Sequence, residues 1–80
     1  MTYTIIYEKI DEPGFEKGYY YAHIPAFDLT THGLGIEGAK EAALDLLKLW
    51  IKEKKANGEA IKSETDTFVS KIDIEDALLS

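Results

Sequence analysis

Eighty residues without a cysteine allow one domain, spanning 1–80, and exclude both disulfides and a Cys/His zinc site as ways to hold it together. The nine basic residues are all lysine and face fifteen carboxylates, for a net charge of −6. That balance speaks against direct nucleic-acid binding and favours a basic protein partner, or serves solubility alone.

The N-terminal run "MTYTIIYEKIDE" has neither a basic start nor a long apolar stretch, so no secretory leader is expected and the cytoplasm is the expected location. Residues 3–10, "YTIIYEKI", are β-branched and aromatic and predict a first strand. Pro13, Gly14 and Gly18 then predict a hairpin loop. "YYYAHIPAF" predicts a second strand, with Tyr20, Ala22 and Ile24 on one face and Tyr19, Tyr21 and His23 on the other. Pro25 marks a strand end or an edge, because it has no amide hydrogen. "DLTTHG" predicts a short third strand, which completes an antiparallel meander.

From Ile36 to about Ala56 the period becomes helical. Ile36, Ala39, Ala43, Leu46, Leu47 and Trp50 form an apolar face; Glu37, Glu41, Asp45, Lys48, Lys52 and Lys55 form the opposite one. Acids lead and lysines follow, which suits the helix dipole. Gly35 stands where a capping side chain is expected, and Asn57-Gly58 is a strong stop signal. Ala42, Leu44, Leu49 and Ile51 widen the apolar arc beyond what one sheet covers. A homo-oligomer, dimer or tetramer, is therefore expected, with Leu44, Leu49, Trp50 and Ile51 at its interface. No apolar run is long enough to span a bilayer, so no membrane partner is expected. After the polar "GEAIKSETD", residues 67–74, "TFVSKIDI", alternate and predict a fourth strand; "EDALLS" allows one helical turn. The fold class is α+β, in the order β-β-β-α-β.

Four features carry a chemical reading beside a structural one. His23 and His32 have the chemistry of a base or a metal ligand, but no nucleophilic cysteine and no zinc-ligand spacing accompany them. "GLGIEG", Gly33 to Gly38, precedes a helix as phosphate-binding turns do, but has neither the GxGxxG nor the Walker pattern; glycine permitting a sharp turn explains it better. Tyr19, Tyr20 and Tyr21 have faces on which bases stack, but the charge opposes that, and tyrosine is enriched in protein interfaces. Asp11, Glu12, Glu16 and Asp28 lack calcium-loop spacing and read as solvated loop charge. No catalytic residue, metal site or cofactor is expected. Tyr19, Tyr21, His23 and Asp28 are the expected partner-binding residues.

The order "GYYYAHIP", a short strand with a glycine turn, "IEGAKEAALDLL" and "NGEAI" resembles the HicB-like antitoxin domain, over about residues 3 to 74. Gly18, Tyr20, Tyr21, Ala22, Ile24 and Pro25 match the family's strand, and Thr31 and Gly33 its turn. Ile36, Glu37 and Ala39 match its helix start, and Gly58 and Ile61 its closing segment. Departures are "AFDL" for the family's Pro-Gly, Leu34-Gly35 for its Asp-Thr cap, Gly38 for the second acid of the helix start, and Lys62 for a proline. The resemblance implies a partial ribonuclease-H-like fold without nuclease activity. It implies binding to a small basic HicA-type toxin, an mRNA-cleaving protein whose active site the antitoxin covers. Many members add a C-terminal DNA-binding module, which this chain is expected to do without. The alternatives are a solitary oligomeric structural or small-ligand-binding protein, marked by a pocket between sheet and helix, and a degenerate nuclease, marked by clustered carboxylates.

Overall fold

A computed structural model describes residues 1–79. Its strands are β1 (Ile6–Lys9), β2 (Tyr19–Ile24) and β3 (Leu29–Leu34), paired antiparallel in the order β1-β2-β3. Helix α1 (Gly35–Ala56) follows, and 3-10 turns occupy Pro25–Phe27 and Asp76–Leu78. The protein is thus α+β, a three-stranded antiparallel sheet carrying one long helix.

Pro25 sets two boundaries. Lacking an N–H, it ends β2 at Ile24, and residues expected to continue the strand turn into the 3-10 helix instead. Asp28 closes that turn in the left-handed region, at φ 52°, a conformation Asp tolerates better than most residues. The register pairs Ile6 with His23, so the residues before Ile6 lie opposite the end of β2 and start of the turn. Pairing stops there, and β1 is shorter than its composition predicts. Residues 3 and 4 bond across to the segment after the helix instead. Tyr3 Oη donates to the Lys62 carbonyl at 2.6 Å, and Thr4 donates its N–H and hydroxyl to the two Glu64 carboxylate oxygens at 2.5 and 2.9 Å.

The inward face of the sheet and one face of α1 build the core. Ala22, Ile24, Ala39 and Ala43 are fully buried, with Tyr3, Tyr7, Tyr20, Phe27, Leu29 and Leu47 packed around them. Ala39 and Ala43 lie one helical turn apart, so the helix backbone settles close to β2 and β3. The polar face, Glu37 to Lys55, is exposed as its period predicts. Ile36 is not core: it is 43 % exposed, because the first turn of the helix projects it away from the sheet. Trp50 stacks on Phe27 at 4.2 Å between ring centroids, with the Lys54 ammonium 5.3 Å from its centre.

Helix α1 begins one residue earlier than expected, so the cap position falls on Leu34 rather than Gly35, and no side chain caps it. Its end follows the sequence signal. Gly58, at φ 75°, lets its own N–H reach the Lys55 carbonyl and the Glu59 N–H reach the Lys54 carbonyl, each at 3.0 Å.

Residues 67–74 form no strand beside the three in this sheet. The alternation is present, but neither side of it is covered: Phe68 is 90 % and Ile72 86 % exposed on one side, and Val69 63 % on the other. The radius of gyration is 15.8 Å, against about 12 Å for a compact chain of this length, and the longest dimension is 52 Å. No helix among the described residues is long and apolar enough to cross a membrane.

Candidate functional site

The outward face of the sheet collects the side chains that carry chemistry. Register decides this, since directly paired residues point to the same side. Ile6, His23 and Thr30 form one row across the strands, and Glu8, Tyr21 and His32 form the next. Tyr19 and Leu34 make a third, shorter row. Phe15, from the hairpin loop, packs edge-on against Tyr19, Tyr21 and His32, at centroid distances of 6.2, 6.1 and 5.4 Å. Ile6, Glu8, Tyr21, His23 and Thr30 surround a shallow depression of ≈ 310 Å³.

Three carboxylates reach this face. Glu8 lines the depression. Glu12 accepts the Tyr21 hydroxyl at 3.1 Å. Asp28 Oδ1 lies 3.9 Å from His23 Nε2, with its own side chain almost wholly in water. His23 Nδ1 and Thr30 Oγ1 are 2.7 Å apart. The Tyr21 phenol is held above its ordinary pKa, first by desolvation and then by the Glu12 hydrogen bond and the charges of Glu12 and Glu8. A raised phenol keeps its hydrogen bond below the ordinary value near 10 and loses it as pH rises through the higher folded value. Glu12→Gln removes one of the charges, so Tyr21 should titrate at lower pH in that variant than in the native protein. A ring-proton NMR titration of the two reads the difference.

Thr30, His23 and Asp28 contain the residue types of a nucleophile, base and orienting acid. Their geometry is not that of a working triad. The His23–Asp28 separation exceeds a hydrogen bond, and the hydroxyl stands near the start of β3 on an open face. Among the described residues no group of three His, Cys, Asp or Glu side chains is placed to hold a metal ion.

No family model, curated protein or solved structure matches the chain. Function is therefore argued from the site itself.

Of the residues expected to contact a partner, Tyr19, Tyr21 and His23 share this face, and Asp28 joins them at its rim through His23. Phe15, Glu12 and Thr30 complete it and were not legible, because loop residues have no period and cross-strand partners depend on register. His32 was conspicuous as a histidine, but only its pairing with Tyr21 places it here. The residues expected at an oligomer interface separate. Leu44 and Ile51 line one groove, while Trp50 turns to Phe27 and lines a different hollow, beside Asp28 and Lys54. Leu49 is 65 % exposed.

Proposed function

We propose that this chain is a HicB-like, non-enzymatic protein-binding domain of the cytoplasm that binds and neutralises a small basic HicA-type mRNA-cleaving toxin. The observation that carries this reading is the outer sheet face: half-buried tyrosines, a histidine pair and Phe15, with Glu8, Glu12 and Asp28 among them. Rigid aromatic side chains are common anchors of protein interfaces, and carboxylates around them speed encounter with a cationic partner. The β-β-β-α order agrees with the fold that the resemblance implies. The fourth strand of the β-β-β-α-β plan belongs to the assembled protein, a homo-oligomer.

The test is RNA cleavage by any small basic protein that is captured with the chain from its host. Adding the chain in stoichiometric amount should stop cleavage, and Asp28→Asn with Glu12→Gln should weaken the inhibition and flatten its salt dependence. Undiminished cleavage in the presence of excess chain rejects the antitoxin reading. RNA cleavage by the chain alone, with magnesium or manganese, would make it a nuclease. A second reading, a solitary oligomer or small-ligand protein, is favoured by the open groove between the N-terminal segment and α1, lined by Tyr3, Ile5, Leu44 and Leu47.

A further inference from the structure

Among the described residues two apolar features stand open to water. One is the C-terminal arm after Glu64, in which Phe68, Val69, Ile72, Ile74, Leu78 and Leu79 are all more than half exposed. The other is a groove along α1. The helix rests on β2 and β3 and hardly touches β1, so its β1 flank stays open. Leu44, Leu47, Ile51 and Ile61 line this flank in a hollow of ≈ 340 Å³, whose charged lining residues are Lys48 and Lys55.

We propose that the arm of one copy lies in the helix groove of a second copy, and that the exchange is reciprocal.

Three observations select this occupant. The first is charge: from Asp66 to Leu79 the arm carries four carboxylates against one lysine, and the groove offers lysines over an apolar floor. Apolar contact and ion attraction therefore act in the same place. The second is shape. Glu64 is clamped to Thr4, and beyond that clamp the arm runs off its own body and leaves its own groove open, which gives the chain its 52 Å length. A projecting segment and an open acceptor on one chain are the two halves of a closed two-fold exchange. The third is area. Each large apolar side chain hides roughly 60–120 Å² when covered. Five from each arm, Phe68, Ile72, Ile74, Leu78 and Leu79, then hide on the order of 1,000 Å², the size at which an interface becomes specific. The alternating run 67–74 is thereby given a covered side, with Phe68, Ile72 and Ile74 toward the helix and Lys71 and Asp73 toward water.

This inference stands apart from the toxin: that reading is decided by RNA cleavage, and this one by mass and cross-linking. Sedimentation equilibrium of the full chain should give a dimer. Ile72→Asp and Leu44→Asp change exposed positions on the two halves of the contact and should each weaken the dimer on the order of 100-fold or more, since each change counts twice in a two-fold pair. The chain has no cysteine, so introduced ones report cleanly. Ile72→Cys in one copy and Leu44→Cys in another should oxidise to a covalent heterodimer when mixed. A monomeric native chain overturns the proposal, as does a dimer that survives both aspartates. In a chain carrying both Ile72→Cys and Leu44→Cys, an intrachain disulfide with no cross-linked dimer also overturns it, by showing the arm folded back on its own groove.

Discussion

Gly33→Ala is expected to cost the domain about 3 kcal/mol, and a denaturant midpoint lowered by that energy divided by the slope, with the slope unchanged, is the result to look for. Gly33 lies on the inward face of β3, and a methyl group there would land on the Gly38 carbonyl and the Ala39 nitrogen in the first turn of α1. Both sides of the clash are backbone, so no side chain can swing away. Neither element can retreat, because β3 ends at Leu34 and α1 begins at Gly35 with no loop between them. Overpacking at such a joint belongs at the upper end of the usual 1–3 kcal/mol. A domain of this size has a total stability of about 4–12 kcal/mol, so much of it would be lost. Gly38→Ala supplies the contrast. Its methyl would meet Gly33 at 3.6 Å and the Leu34 Cβ at 3.8 Å, which is ordinary contact. It should stabilise the helix by up to about 1 kcal/mol. The two glycines are five residues apart and face the same joint, so opposite signs would show that close approach at Gly33, rather than helix propensity, controls it.

Ile24→Ala is the second large effect, about 2–5 kcal/mol of destabilisation. Among the described residues Ile24 is the one large side chain that is fully buried; the other fully buried residues, Ala22, Ala39 and Ala43, are alanines. The core therefore has little bulk elsewhere with which to fill the space left behind. Its rim, Tyr3, Tyr7 and Phe27 among others, is half-exposed and held partly by ring contacts such as Tyr3–Phe27 at 5.0 Å. Partial collapse of that rim would place the cost in the middle of the range rather than at its top. Ile24 also follows His23 directly, so its loss should loosen the outer face it backs. Thermal unfolding of the variant measures the first effect and partner affinity the second.

Much of the fold is legible in the sequence because one physical rule governs each legible part. The period of two along Tyr19 to Ile24 separates core from outer face without any knowledge of partners, and the helical period from Ile36 does the same for α1. Asn57-Gly58 stops the helix by a local rule, since only the left-handed conformation of Gly58 is needed. The illegible parts depend on distant residues. The Glu64 clamp on Thr4 joins positions sixty residues apart. Phe15 reaches the outer face only because the hairpin folds over it. The end of β2 turns on Pro25: its missing N–H marks a strand end or an edge, but the β-like composition of the residues after it does not show that they leave the strand at once. Residues 67–74 carry the alternation of a strand, but alternation states only that a side chain has two environments available, not which molecule supplies the second.

In the two proposals the outer face and the arm take different partners. The sheet's outward rows face away from α1, so a partner on Tyr21 and His23 and a second copy on the helix groove need not compete. The central claim concerns the first of these surfaces. Affinity capture from the native host, with tagged native chain and tagged Tyr21→Ala/His23→Ala side by side, tests it most directly. The native chain should retain a small basic protein in a one-to-one ratio, and the double variant, still folded by circular dichroism, should lose most of it, at least about tenfold. Recovery of no basic protein by the native chain, or equal recovery by both, would contradict the account.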